Sequence, residues 1–279
     1  MNAESKTSMT IREIAPGREL RDVEGLQKEI WGVPDLDVVP VTHLVAVQEA
    51  GGVLLGAFDG ETMVGFVYGF VGIERGRMVH HSHMLAVKPA YRNFDLGRKL
   101  KMAQRQRVID QGINLMTWTF DPLQSLNAYF NFSKLGVFSD RYLINFYGEE
   151  AASFLHQTGT DRLLVTWDLT KNPAEGSVDE ICFKENFGHI TPLVKVADEE
   201  FPLAGDLEEG LYGQTALIEI PANINDLVKR DRQSALKWRE ATRRAFTGAI
   251  KEGFRVEAFF RMDRGGRKQG VYLLGRGEN

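Results

Sequence analysis

Apolar and polar positions follow two different periods along this chain, and the switches between them predict its elements. Ile11 to Ile14 reads as a strand, and apolar residues recur at helical spacing from Arg18 to Ile30 until Trp31 and Gly32 close the run. Leu54 to Phe58, the turn Asp59-Gly60 and Met63 to Ile73 predict a β-hairpin, because Asp-Gly tolerates the positive φ of a tight turn. Met78 to Val87 adds a third strand to that sheet, and Lys88-Pro89 stops it because proline has no amide to donate. From Leu96 the period becomes helical: Leu96, Leu100, Ala103 and Val108 share a face, Arg98, Lys99, Lys101 and Arg105 fall largely elsewhere, and Gly112 follows as a C-cap. Leu115 to Phe120 is a buried-type strand broken by Asp121-Pro122, and Gln124 to Leu135 is a short helix that Gly136 ends. These lengths suit a parallel crossover. Phe138 to Tyr147 and Arg162 to Leu169 read as two further strands.

Lys171 to Asp179 carries Asn-Pro, Gly and Ser without periodicity, which makes it the linker signal and divides the chain into 1–170 and 171–279. Beyond it come a strand from Ala216 to Ile220 and a helix with Trp238, Ala241, Ala245 and Ala249 on one face. Strands Phe254 to Arg261 and Val271 to Leu274 then flank the turn Asp263-Arg264-Gly265-Gly266. The expected fold class is α+β: a mixed α/β domain with a central mixed sheet flanked by helices, then a smaller C-terminal α+β domain.

Composition narrows the functional classes. A chain of 279 residues, 43% hydrophobic and 26% charged, is ordinary for soluble, packed domains. A net charge of -4 supplies no global field to gather a polyanion, so nucleic acid is not an expected partner, although a local basic patch can hold a small phosphorylated molecule. Cys182 stands alone, so it forms no internal disulfide and brings no metal cluster; it reads as a buried, inert thiol. Met1 to Thr10 is polar, and no run approaches the roughly 20 apolar residues of a membrane span, so the expected location is the cytoplasm, with no metal and no membrane partner. A homodimer is left open, because apolar strands do not separate an interface from a core.

The block from Leu85 to Leu100 passes from a strand through a tight loop into a basic helix. Free amides at a helix N-terminus, backed by the helix dipole and reinforced by Arg92 and Arg98, form a site able to hold a diphosphate. The loop resembles that of the GNAT acyltransferases, whose pattern reads Gln/Arg-x-x-Gly-x-Gly/Ala after a strand ending apolar-x-Val-x-Pro. Arg92-Asn93-Phe94-Asp95-Leu96-Gly97 is the matching stretch. The family's Asn, aromatic and Lys-x-Gly pattern is matched by Asn127 to Val137, through Tyr129, Lys134 and Gly136. The resemblance spans residues 10 to 170. It implies a GNAT fold whose sheet splays between two parallel strands, and a coenzyme A thioester as acyl donor. Main-chain groups of Leu85 and Val87 would hold the cofactor arm, Arg92, Asn93, Phe94, Asp95, Leu96, Gly97 and Arg98 the diphosphate, and Asn127 a polar contact.

Two departures stand out. Asp95 occupies the loop's first glycine position, where it either caps the helix or competes with phosphate for the same amides. Phe132 stands where many members place the tyrosine that protonates the leaving thiolate, and phenylalanine cannot do so. Acyl transfer to an amine needs a base, a polarised carbonyl and a proton for the thiolate. By position the resemblance makes His83 the base, with His81 on the same strand face, and Tyr129 the substitute acid; structural histidines and a packing tyrosine are the alternatives. Asp121 ends a strand where open sheets bind ligands, and either orients a histidine or acceptor ammonium or forms an ordinary Asp-Pro turn. Arg141 and Arg162 are candidates to attract an acceptor carboxylate, while Trp118, Phe120 and Phe130 read as core or pocket lining.

More narrowly, His81 to Val87, Asp121-Pro122 and Trp238 to Phe246 resemble a two-domain GNAT subgroup, some members of which partner N-acylamino acid racemases. That likeness implies an amino acid acceptor and acetyl or succinyl transfer from acetyl-CoA or succinyl-CoA. The expected function is therefore N-acyl transfer to a small-molecule amine. The alternative is a catalytically degenerate binding or regulatory protein on the same fold.

Overall fold

The computed structural model describes residues 9–148, 157–171, 183, 185, 189–197, 201–264 and 266–277. By compactness the chain divides inside one strand, into a unit built mainly on the chain up to Trp118 and another built mainly on the chain from Thr119. The linker signal read from the sequence starts at Lys171; its residues 172–179, and Cys182, lie outside the described residues.

In the first unit β1 (Met9–Glu13), β2 (Val53–Asp59), β3 (Thr62–Glu74) and β4 (Arg77–Val87) pair antiparallel in chain order, and β5 (Leu115–Phe120) joins β4 in parallel. The Asp-Gly turn closes the β2–β3 hairpin, with Gly60 at φ 59°. Helix α1 (Arg18–Trp31) ends on Gly32, whose left-handed φ of 63° lets its amide reach the Lys28 carbonyl at 2.9 Å. α1 packs Leu20, Val23 and Leu26 together with Leu44 of α2 (Val41–Glu49) against Leu54, Phe58, Phe66 and Tyr68. Each such fully buried aliphatic side chain contributes about 1.5–3 kcal/mol.

Helix α3 (Leu96–Asp110) buries Leu96, Leu100 and Val108 as its period requires. The same face also buries Lys101 and Gln104, so the expectation that Lys101 lies off the buried face is corrected. Residue 101 follows Leu100 by one step of 100° and precedes Val108 by two turns, which leaves it on the edge of the apolar stripe, where polar groups opposite it on β4 draw it in.

In the second unit the strand order is β7-β6-β11-β12-β10-β8-β9: β6 (Phe138–Leu143), β7 (Arg162–Asp168), β8 (Val194–Val196), β9 (Pro202–Ala204), β10 (Thr215–Pro221), β11 (Phe254–Arg264) and β12 (Arg267–Arg276). All its described pairings are antiparallel except β10 with β8. Its described helices include α4 (Ser125–Ala128), α5 (Leu207–Gly210), α6 (Ile224–Arg230) and α7 (Arg232–Lys251). α7 buries Trp238, Ala245 and Ala249, and Leu217, Phe260, Val271 and Leu273 form a further core with Phe183. The helix expected from Gln124 to Leu135 is α-helical only over its first turn; Tyr129–Leu135 continues as a wider π-helical segment before Gly136, at φ 72°, ends it. The strand expected to reach Tyr147 stops at Leu143, where Asn145 at φ 47° turns the chain. Both units mix helices with largely antiparallel sheet, which is the α+β class expected. Among the described residues no single helix is long and apolar enough to cross a membrane.

Candidate functional site

After β4 the chain makes a 3-10 turn over Pro89–Phe94 and enters α3 through Asp95 at φ 57°, ψ 23°. That left-handed geometry is the reason glycine suits the position, and aspartate is among the few side chains that tolerate it. The Asp95 side chain caps nothing: it points outward and pairs with Arg98 at 3.6 Å, so the capping alternative is not realised. The first bond within α3 runs from the Lys99 amide to the Asp95 carbonyl at 3.0 Å, leaving the amides of Leu96, Gly97 and Arg98 at the open end of the helix. Arg92, Asn93, Phe94 and Arg98 are all exposed around this end. The loop is braced from below, since the Tyr91 hydroxyl donates to Asp59 at 2.9 Å and Lys88 pairs with Glu29 at 3.0 Å.

Beside the loop, β4 loses its neighbour. The parallel pairing with β5 covers only His80 with Met116 and His81 with Thr117. On its other edge β4 remains paired with β3 as far as Val87, and the Lys88 amide still reaches the Val64 carbonyl at 2.9 Å. In an antiparallel ladder alternate residues aim their amides and carbonyls at opposite neighbours. Because Lys88 and the Ala86 carbonyl face β3, Leu85 and Val87 turn their main-chain groups to the edge from which β5 has departed. The Val87 carbonyl accepts Arg92 Nε at 3.4 Å; an edge whose other main-chain groups face away from β3, leading straight into a helix N-terminus with free amides, suits a ligand with an amide-bearing arm and a phosphate head.

One face of the same strand carries an aromatic and histidine cluster. The β3–β4 register slips between Tyr68 and Gly69, opposite Met84 and Ser82, so His83 is the extra residue of a β-bulge. Its ring lies 6.2 Å from His81, 5.9 Å from Phe70 and 5.8 Å edge-on from Tyr68. His43 of α2 is hydrogen-bonded to the Tyr68 hydroxyl at 2.9 Å, and His81 Nδ1 lies 3.2 Å from Thr117 Oγ1. Burial and the nearby His43 charge lower the pKa of His83, and burial pushes Tyr68 up to about 12. His83 is thus held neutral near pH 7, in the form that accepts a proton.

The opposite face of β4 meets α3 through a buried polar chain. Lys101 Nζ donates to Ser82 Oγ at 2.7 Å, Ser82 donates to Gln104 Oε1 at 2.7 Å, and Gln104 Nε2 lies 3.2 Å from His80 Nε2. Lys101 also sits 3.7 Å over the Trp118 ring. Burial, then the charges of Lys101 and His81, drive His80 down to about 3, and burial drives Lys101 well below its usual range. Gly69 makes this approach possible: a Cβ there would stand 2.7 Å from the His81 carbonyl and 2.9 Å from Gln104 Nε2.

In the second unit Asp121 is 8% exposed and accepts Arg239 Nη2 at 2.7 Å and the Leu123 amide at 2.9 Å, both on Oδ1. Tyr129 is half-buried with Lys134 5.5 Å over its ring, and Asn127 is exposed on α4. Phe132 is core, packed against Phe120 at 6.2 Å and Tyr272 at 5.9 Å. Arg141 is half-buried beside Asp140, whereas Arg162 is buried. Among the described residues no group of three or more His, Cys, Asp or Glu side chains is placed to hold a metal.

No family model and no curated protein matches the chain. Among solved structures it is similar to the ribosomal-protein-S18-alanine N-acetyltransferase of Escherichia coli, at 13% identity over 62% of this chain and 100% of that one, with a TM-score of 0.47. It is also similar to aminoglycoside 6'-acetyltransferase type Ii, at 17% identity over 59% and 99% of the two chains and a TM-score of 0.47. A GNAT-family acetyltransferase from Streptococcus pneumoniae aligns at 16% identity over 57% and 98%, with a TM-score of 0.45.

The structure brings Leu85, Val87, the loop from Arg92 to Arg98 and His83 together within the first unit, while Tyr129, Asp121 and Asn127 belong to the second. Sequence reasoning missed His43, Tyr68, Phe70 and Lys101. The strand alternation of Tyr68 and Phe70 was visible, but nothing local ties α2 to β3 or a lysine to a buried serine.

Proposed function

We propose that this protein is an acyl-CoA-dependent N-acyltransferase that acylates the amino group of a small molecule, an amino acid by the narrower resemblance. The observation that carries the reading is the departure of β5 from β4 beside the left-handed entry to α3. It leaves the main-chain groups of Leu85, the Val87 amide and the first α3 amides open along one continuous track, with the Val87 carbonyl held by Arg92 Nε at 3.4 Å. The fit is chemical: the open strand edge matches the amides of a pantetheine arm, and the helix end with Arg92 and Arg98 matches a diphosphate. When bound, the thioester supplies an activated acyl carbon.

The chain's own residues then have four tasks. His83, neutral and set in an apolar ring cluster, takes the proton of the acceptor ammonium, and an open β4 amide donates to the carbonyl oxygen as charge develops there. Tyr129 is the proposed proton donor to the departing thiolate, and Asp121 the proposed orienting carboxylate. Tyr129→Phe tests the former directly: an acid role lowers kcat, whereas a packing role leaves it unchanged. The decisive assay is thiol release from acetyl-CoA and succinyl-CoA against D- and L-amino acids. Release that depends on the amine and vanishes in His83→Ala supports the enzyme. Coenzyme A binding with no release from either donor supports a ligand sensor instead, a reading favoured by the Asp95 carboxylate, which occupies Arg98 at the phosphate end.

A further inference from the structure

Lys101 is 2% exposed, and among the described residues no carboxylate pairs with it: its amine has the Ser82 hydroxyl at 2.7 Å and the face of Trp118 at 3.7 Å. Burial without a counter-charge holds it well below the usual lysine range, so the placement is costly. Methionine would fill the same slot over Trp118 without that cost, and packing alone therefore does not call for an amine.

What the amine holds is the strand residue next to the bulge. Lys101 and Gln104, one turn apart on α3, face His80 and Ser82, alternate residues of β4. Their hydrogen bonds run in one direction, from Lys101 to Ser82 Oγ, from Ser82 to Gln104 Oε1 at 2.7 Å, and from Gln104 Nε2 to His80 Nε2 at 3.2 Å. Ser82 lies opposite Gly69, and the register slips immediately beyond that pair. The described pairing with β5 ends one residue earlier, at His81. Ser82 is thus the point at which β4 loses one neighbour and falls out of step with the other. A bulged residue has no cross-strand partner of its own, so its orientation depends on what pins the residues beside it. The ladder pins Met84 opposite Tyr68, and the side-chain contact with α3 pins Ser82 from the face opposite His83.

We propose that Lys101 is a positioning residue: through Ser82 it locks the bulge where β4 parts from β5, and so fixes the direction in which His83 faces. The inference rests on the reading of His83 as the base. Because Lys101 stands in the second turn of α3, it also ties that direction to the helix whose open N-terminus is the proposed phosphate end. The titratable groups facing His83 are His81 on β4, Tyr68 on β3 and His43 on α2, while Lys101 acts from the other face, next to His80.

The test uses the full-length protein and two variants. Lys101→Met removes the amine and leaves Ser82 its bond to Gln104; Lys101→Met with Ser82→Ala removes both ends of the contact together. The His83 Cε1–H signal is followed against pH in proton–carbon correlation spectra, and is assigned by its absence from His83→Ala. In both variants the loosened ring gains water, and its proton affinity is expected to rise about 3-fold or more. The rise is expected to be equal in the two, because the second change adds nothing once the contact is broken. The thermal midpoint of Lys101→Met should hold or rise. An unchanged His83 titration in both variants overturns the proposal and leaves Lys101 a packing residue, whatever the thermal midpoint does. In thiol-release assays Lys101→Met is expected to lower kcat about 10-fold, with little change in KM for the acyl donor and with the acidic limb moved upward alongside the His83 titration. A wild-type kcat and limb in that variant overturn the proposal. If no amine supports thiol release in the wild type, the reading of His83 as the base fails, while the His83 titration still decides whether Lys101 sets the ring's surroundings.

Discussion

Lowering the pH should loosen the strands around β4 through one residue, His80, and the size of the effect follows from its burial. Its ring is 0% exposed, one nitrogen lies 3.2 Å from Gln104 and the other has no partner. Burial, reinforced by Lys101 and His81, lowers its pKa from 6.5 to about 3. The folded pKa is depressed, so above pH 6.5 both states are neutral and nothing is lost. As the pH falls below 6.5, the unfolded chain takes up a proton that the folded chain refuses, and stability declines until about pH 3. At pH 5 the loss is about 2 kcal/mol, roughly a 30-fold change in an opening equilibrium. Backbone amide exchange of β3 and β4 reads this locally, which matters in a chain of two compact units. His80→Gln keeps a polar group opposite Gln104 but does not titrate. Wild type should lose about 30-fold in protection relative to His80→Gln between pH 7.5 and pH 5. Equal pH dependence in the two proteins refutes the argument and means that the folded state accommodates the imidazolium.

Other consequences are open to simpler measurements. Asp95→Gly should stabilise the loop by about 1 kcal/mol, by relieving the left-handed strain, and, if the proposed function holds, tighten coenzyme A binding several-fold by freeing Arg98; Asp95→Ala retains the strain and should be destabilising by thermal melt. Gly69→Ala should cost about 2–3 kcal/mol in urea unfolding, because the His81 carbonyl that its Cβ meets at 2.7 Å belongs to a paired strand and cannot yield. If His83 is the base, its lowered pKa places the acidic limb of kcat/KM below pH 6.5, and His83→Ala should lower amine-dependent thiol release about 100-fold or more. A limb above pH 7 would assign the proton to another group.

The alternation of apolar residues and the chemistry of the turns were enough to specify local structure. Asp59-Gly60 placed a hairpin, Lys88-Pro89 ended β4, and Gly32 and Gly136 ended helical segments, because these effects act within one turn of chain. The loop from Arg92 to Arg98 was legible for the same reason. Its exception was also local: Asp95 takes the backbone conformation of the glycine it replaces, and its side chain is left exposed rather than capping. What the tertiary structure alone decided concerns groups that meet across long separations. His43 finds Tyr68 from another element, the bulge turns His83 toward that pair, and Lys101 leaves the expected solvent face for Ser82. Asp121, an ordinary turn residue in the sequence, is buried against Arg239, 118 residues away. Burying a charged or polar group is favourable only where a partner awaits it, and the partner's position is a property of packing that no local pattern encodes.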